Sequence, residues 1–505
     1  MKIGMAYCPE QWSEDRWSLD ADMMVEMGVD VVRMGEFAWW RLEPKRERFD
    51  FEWFEEVVEL FTGRGLGVIL ATPTSAPPAW LFNRHMTILP EGPGGKEWHL
   101  GSHSHVCLSN SAYHKYARRI VGEMAKRFAD RSKLVGWQID NECGYGPAET
   151  CYCDDCESAF RRWLKRRYGT IDRLNRMWGT EVWSQGFSDW HEIPVPRHTP
   201  GGPHPSLALD YRRFSSAQYR AFVEEQREIL QRYSAEEPVL TVNEPSLMKI
   251  PHVDRFSLVE QETVTSLNTC PAEYKDYART AAALDGARSH RHRPFWVFQR
   301  LSPKPGRRQS APPRPGRIRL WSYQSLARGA ELLTFLRWRT PASGQRMFQP
   351  GLLKHDGAPG RVYEEVRGLV GELKENARHW EGREPVSKVG MIIDYPSAWG
   401  MESVQRGGDL DYWQRVEDLH ALLSHRGLPV DFPGEHSDFD CYDLLVAPSL
   451  FICSARLAEK LELFVHHGGQ LLVTAPAGYN TQTNSREQGH APGPLTDLLG
   501  VAVRE

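Results

Sequence analysis

The segment Leu134-Val-Gly-Trp-Gln-Ile-Asp-Asn-Glu142 runs from an apolar stretch of strand length into an Asn-Glu pair. In an α/β barrel the C-terminal strand ends ring one mouth, and side chains there face a ligand and not the core. Glu142 is therefore the candidate proton donor, a general acid/base, with Asn141 beside it as a hydrogen-bonding partner for a ligand hydroxyl. The plainer alternative is a surface glutamate after a buried strand. A second constellation is Cys151-Tyr-Cys153-Asp-Asp-Cys156, a C-x-C-x-x-C run. Completed by Cys107 from an earlier loop, its thiolates suit a tetrahedral structural zinc, and four sulfur ligands leave no open position for water. Disulfides and plain buried thiols are the alternatives. Cys8, Cys143, Cys270, Cys441 and Cys453 are scattered and read as small apolar residues.

The elements that must position these groups are those of a large α/β protein. At 505 residues the chain exceeds one ordinary core and predicts two domains. Its net charge of -4, with both signs interspersed, argues against a nucleic-acid or membrane-surface partner. The start, Met1-Lys-Ile-Gly-Met-Ala-Tyr7, enters strand-like sequence with no apolar export segment, which predicts a cytoplasmic protein. Eighteen Trp fit stacking on sugar faces and fit a large packed core equally well.

Eight β-rich runs alternate with amphipathic stretches: Lys2 to Tyr7, Val29 to Met34, Gly67 to Pro73, Leu134 to Asp140, Val239 to Asn243, Thr263 to Asn268, Phe295 to Phe298 and Leu332 to Arg337. That alternation predicts a TIM (β/α)8 barrel over residues 1–380, with helices such as Phe54 to Arg64, Ala112 to Ala129 and Tyr211 to Tyr233. Two long inserts, Gly179 to Leu207 and Ser302 to Ile318, are expected to be non-helical and to crowd the mouth. From Val386 a second α/β unit begins, occupying 386–505: strand Val386 to Ile393, helix Tyr412 to Ser424, strand Asp443 to Ala447, helix Ala455 to His467 and strand Gln470 to Thr474. Its Rossmann-like sheet is expected to be truncated.

The chain resembles the β-galactosidases of glycoside hydrolase family 42 over essentially its whole length. The resemblance is carried by Tyr7-Cys-Pro-Glu-Gln-Trp12, Arg33-Met-Gly-Glu-Phe-Ala-Trp39, Thr72-Pro-Thr-Ser-Ala-Pro-Pro-Ala-Trp80, Trp137-Gln-Ile-Asp-Asn-Glu-Cys-Gly144, Arg317-Ile-Arg-Leu-Trp321 and Arg337-Trp-Arg339. It implies a TIM barrel followed by an amidotransferase-like trimerisation domain, here incomplete, and hence a homotrimer weakened by the truncation. It implies hydrolysis of terminal β-D-galactosides with Glu142 as acid/base, and it places Cys107, Cys151, Cys153 and Cys156 on the family's zinc ligands. Such retaining enzymes need a second carboxylate about 5 Å from the first as nucleophile.

At the nucleophile position family members read roughly Pro-Phe-Trp-Val-Met-Glu, whereas this chain reads Pro294-Phe-Trp-Val-Phe-Gln299. An amide is a poor nucleophile and stabilises oxocarbenium charge weakly. By the same resemblance His103, Arg346 and Gln349 hold substrate-binding places where the family has Arg, Glu and His. Cys270 replaces an aromatic hydroxyl, and the Arg307-Arg308 region replaces a Trp. The alternative to hydrolysis is thus a catalytically silent or altered-specificity carbohydrate-binding descendant. Glu244, within Asn243-Glu-Pro245, is a mouth-facing decoy, and Glu260 or Glu262 is a further substitute carboxylate. Glu36 reads as a partner for Arg33, a loop cap or a substrate contact. The basic residues Arg288, Arg291, Arg293, Arg300, Lys304, Arg307, Arg308, Arg314, Arg317 and Arg319 form a solvated loop or a mouth suited to anionic glycans.

Overall fold

A computed structural model describes residues 1–146, 148–245, 252–271, 277–289, 295–301, 312–380, 382–404 and 411–503. Arg291, Arg293, Lys304, Arg307, Arg308 and most of the Ser302 to Ile318 insert lie outside the described residues. The apolar runs form parallel strands β1 (Lys2–Ala6), β2 (Val31–Met34), β3 (Gly67–Ala71), β4 (Leu134–Gln138), β5 (Leu240–Thr241), β6 (Glu244–Pro245), β7 (Ser266–Thr269), β8 (Phe295–Arg300) and β9 (Ala330–Leu336). They are ordered β5-β4-β3-β2-β1-β9-β8-β7-β6. The expected single strand Val239 to Asn243 is instead broken. β5 pairs with β4, β6 pairs with β7, and Asn243 between them has φ 53°. Glu262 fills the break, its Oε1 accepting from Val242 N at 2.6 Å, so one interrupted segment joins the two sheet edges and the barrel is nearly closed. The same use of Glu262 delays the next strand, which starts at Ser266 and not at Thr263.

Inward and outward faces alternate along each strand. Val31, Ile69, Trp296, Phe298 and Leu332 share a small core inside the barrel. Val32, Val68, Leu70, Phe295, Val297, Leu333 and Phe335 pack outward with helical residues such as Phe54, Val57, Phe61, Ile120 and Val121. The helix Ser111–Phe128 shows how sequence sets this shell: Tyr113, Tyr116, Ala117, Ile120, Val121, Met124 and Phe128 recur on one buried face. Asn110 caps it, accepting from Ala112 N at 3.0 Å and Tyr113 N at 3.1 Å. The long helix starts at Pro205, earlier than the expected Tyr211, because Pro fits the first helical position and His204 caps it. The Gly179 to Leu207 insert also holds short 3-10 turns at Val182–Ser184 and Trp190–Glu192.

The second unit is a parallel sheet of β10 (Val389–Met391), β11 (Val430–Asp431), β12 (Leu444–Ala447) and β13 (Gln470–Val473), ordered β11-β10-β12-β13. Strand β11 and the helix Tyr395–Val404 were not expected from sequence. Leu209 and Ala282 of the barrel enter the core of this unit. A buried polar junction reinforces the contact. Arg288 reaches Asp285 at 2.7 Å and Asp431 at 2.6 Å, while His420 Nε2 lies 2.9 Å from Asp285. The expectation that Arg288 belongs to a solvated loop or to the mouth is therefore corrected: it pairs across the domain boundary.

Candidate active site

At the end of β4 the backbone turns sharply, and both Asp140 (φ 53°) and Glu142 (φ 50°) take left-handed conformations uncommon for such residues. Side-chain bonds hold the turn. Asp140 N donates to Thr72 Oγ1 at 2.8 Å, Asp140 Oδ1 accepts from Asn141 N at 2.5 Å, and Asp140 Oδ2 accepts from Thr74 Oγ1 at 2.8 Å. Burial pushes the Asp140 carboxyl up to about 6. Asn141 is buried deep in the mouth, where its Oδ1 accepts from Asn243 Nδ2 at 2.7 Å and Gln138 Nε2 at 3.4 Å. Gln138 Oε1 in turn accepts from Arg33, which binds Glu36 at 2.5 Å. Of the three readings for Glu36, the partner of Arg33 is the one seen.

Glu142 is 3% exposed. Its Oε1 accepts from Asn268 Nδ2 at 2.9 Å and from Arg300 Nη2 at 2.7 Å, and Arg300 Nε donates to Asn268 Oδ1 at 3.1 Å. Arg300 and Asn268 thus join the site, though sequence reasoning had placed Arg300 in a basic run and Asn268 merely at a strand end. The signal that could have found Arg300 is alternation along β8, whose inward residues Trp296 and Phe298 put residue 300 next on the same face.

Gln299 lies on the other face, in register with Thr269 and Phe335 and fully buried. Neither of its amide atoms has a hydrogen-bonding partner. The residue that motif comparison places at the nucleophile therefore points toward the outer shell, and a guanidinium occupies the inward place at this strand end.

The other carboxylates are engaged elsewhere. Glu244 is buried against Arg255, and burial pushes its carboxyl up to about 6 despite that partner. Glu260 pairs with Arg220 on the surface, and Glu262 is spent on the β5–β6 break. The expectation that Glu244 faces the mouth is thus corrected.

A cavity of about 740 Å³ opens at the barrel mouth, lined by residues that include Glu10, Phe37, His103, Arg300, Arg337, Arg346 and Gln349. His103, Arg346 and Gln349, separate in sequence, are brought together here, and Arg346 Nη2 donates to His103 Nε2 at 3.1 Å. Glu142 and Gln299 are not among the described lining residues. Arg300 both lines the cavity and contacts Glu142, so it stands between the open space and the acid/base candidate.

Cys107, Cys151, Cys153 and Cys156 converge, with all four Sγ atoms within 4.8 Å of one another. Cys107 Sγ is 3.4 Å from Cys156 Sγ and 3.5 Å from Cys153 Sγ. A zinc ion with sulfur ligands at about 2.3 Å spaces them by about 3.8 Å, so the donor set fits a closed tetrahedral ion. The cluster sits at the start of the helix Asp154–Tyr168 on a core with Phe160, Tyr211 and Phe214.

A β-galactosidase family model of glycoside hydrolase family 42 matches residues 6–376, and a β-galactosidase trimerisation domain model matches 387–505. The chain is 36% identical to a β-galactosidase of Thermus thermophilus over 99% of its own length and 79% of that protein. It is 35% identical to β-galactosidase BgaH of Haloferax lucentense, over 100% of this chain and 77% of the relative. The solved β-galactosidase of the Antarctic haloarchaeon Halorubrum lacusprofundi superposes with a TM-score of 0.94 at 33% identity, covering 99% of this chain and 76% of that one. Barrel, second sheet and both family matches agree over nearly every residue: the chain belongs to the family 42 β-galactosidases among the glycoside hydrolases.

Proposed function

We propose that the barrel mouth binds and hydrolyses terminal β-D-galactosides or closely related β-glycosides, with Glu142 delivering a proton to the departing glycosidic oxygen. The observation that carries this reading is the placement of Glu142. It sits at the end of β4, buried, clamped by Asn268 and Arg300 beneath a sugar-sized cavity. Arg300 holds one Glu142 carboxylate oxygen and lines the cavity, so it must move aside for Glu142 to reach a ligand there. Asn141, His103, Arg346 and Gln349 are the candidate substrate contacts.

A second reading, a catalytically silent or altered-specificity carbohydrate-binding protein, is favoured by the end of β8. There Gln299 faces outward and Arg300 faces in, so among the described residues no carboxylate takes the nucleophile's place. Release of aglycone from a panel of activated aryl β-galactosides and related β-glycosides separates the two. Turnover that disappears in Glu142→Ala supports hydrolysis. Sugar binding without turnover supports the silent reading.

The four cysteines would hold a structural zinc that ties the loop of Cys107 to the helix beginning at Asp154; with four thiolates it would supply folding stability and no reactive water. Nine cysteines, none of them in a disulfide, fit a reducing, cytoplasmic setting. The trimerisation-domain match supports a homotrimer built through residues 387–505. Among the described residues no helix is long and apolar enough to cross a membrane.

A further inference from the structure

Three arginines, Arg300, Arg337 and Arg346, converge on the mouth cavity, while Glu10 is its only carboxylate among the described lining residues. Among the described residues the Arg337 side chain hydrogen-bonds only Gln11, at 3.4 Å, and that of Arg346 only His103, with its guanidinium over the Phe37 ring at 5.4 Å. No carboxylate among the described residues lies within 4.0 Å of either. Burial, then the neighbouring Arg300 and Arg337, lower the Arg346 guanidinium, a net effect that the more distant carboxylates of Glu36 and Glu142 offset only in part. Burial pushes the Glu10 carboxyl up to about 7, so near neutrality it carries only part of a negative charge against three guanidinia. Gln349 adds an independent sign. It is 5% exposed, it lines the cavity, and its Oε1 has no hydrogen-bond donor.

A partly buried cluster of like charges is costly, and an anion arriving between the guanidinia relieves it. Arginine forks match the planar oxygens of carboxylates and the oxygens of sulfates. The cavity is far larger than a bare ion, and it also offers an aromatic ring at Phe37 and an acceptor at Gln349 Oε1 suited to a sugar hydroxyl. We propose that the mouth takes a β-glycoside whose terminal sugar carries a carboxylate or a sulfate, with the anion held by Arg337 and Arg346. This rests on the reading of the mouth as a sugar site and narrows its substrate class.

Calorimetric titration of the full chain with methyl β-D-galactoside, methyl β-D-galacturonide, methyl β-D-galactoside 6-sulfate and inorganic sulfate tests it. In low salt the two anionic glycosides are expected to bind about tenfold or more tighter than the neutral one, an advantage that shrinks as sodium chloride is added. Arg337→Gln is expected to remove most of that advantage while leaving the neutral glycoside within about threefold, and Arg346→Gln to remove most of that advantage as well. The salt series on the unaltered chain serves should either variant fold poorly. Whether the uronide or the sulfate ester binds better decides which anion the site prefers. Equal or better binding of the neutral glycoside overturns the proposal and leaves the galactoside reading intact. Inorganic sulfate binding as tightly as the sulfated sugar also overturns it, since the site then takes an anion only. Failure of every glycoside to bind overturns both readings.

Discussion

Replacing Arg300 with glutamate is expected to convert the end of β8 into one that supports a retaining mechanism, whereas Gln299→Glu is not. The Arg300 Nη2 atom touches Glu142 at 2.7 Å. A glutamate on the same path ends about two bonds earlier, which draws its carboxylate back by roughly 3 Å. The two carboxyl groups then stand about 5–6 Å apart, close to the roughly 5–5.5 Å of a retaining pair. Residue 299 shares the outward face of Phe295 and Val297, so a carboxylate there is aimed away from Glu142. A carboxylate about 4 Å from a developing oxocarbenium charge, at an effective dielectric of about 20, contributes about 4 kcal/mol. That corresponds to roughly a thousandfold in kcat/KM. Mutual repulsion of the new pair also keeps one carboxyl protonated, as an acid catalyst requires. The substitution removes a buried ion pair and is expected to cost about 3 kcal/mol of stability, so thermal midpoints must accompany the rates. The assay is aryl aglycone release, with the product anomer read by NMR and Glu142→Ala added in the Arg300→Glu background. Activity gained in Gln299→Glu but not in Arg300→Glu would refute the argument from strand register.

Three further outcomes follow from other parts of the molecule. Elemental analysis is expected to find one zinc per chain, and Cys153→Ser or a strong chelator should lower the thermal midpoint with loss of the metal; an unchanged midpoint with no metal found would sink the zinc assignment. Arg288→Met leaves Asp285 and Asp431 without their shared cation and is expected to cost about 3–5 kcal/mol. Calorimetry should show it as an earlier transition of the second domain, and an unaltered scan would contradict the junction's role. Glu10 titrates near 7 in the folded chain against about 4.3 unfolded, so between these values the native state holds a proton that the unfolded state has lost. Stability from this group is therefore present at low pH and falls as pH rises toward 7. Glu10→Gln should gain thermal midpoint relative to the parent at pH 8 and not at pH 4, and an equal gain at both would exclude the titration.

The parts of this protein that were legible in sequence are those set by local pattern. Apolar runs of strand length between amphipathic stretches gave the barrel and the helix Tyr412–Ser424, whose start the structure shows capped by Asp411, its side chain accepting from Trp413 N and Gln414 N. Cysteine spacing gave the four-sulfur cluster. What escaped depends on contacts distant in sequence. The break at Asn243 follows from Glu262 binding Val242 N, β11 is two residues long and exists through its pairing with β10, and the destination of Arg288 is set by Asp431 in another domain. The catalytic question falls between these classes. Counting along a motif assigns the nucleophile's place to Gln299, but motif counting carries no information about which face a residue occupies. A shift of one residue along a strand reverses every side chain. Trp296 and Phe298 are anchored inside the barrel by Ile69 and Leu332, so Arg300 is carried inward with them. A bulky pair of aromatics, and not the catalytic residues themselves, thereby decides which side chain meets Glu142. Altering that anchoring is then predicted to change the site's chemistry without touching any residue in the cavity.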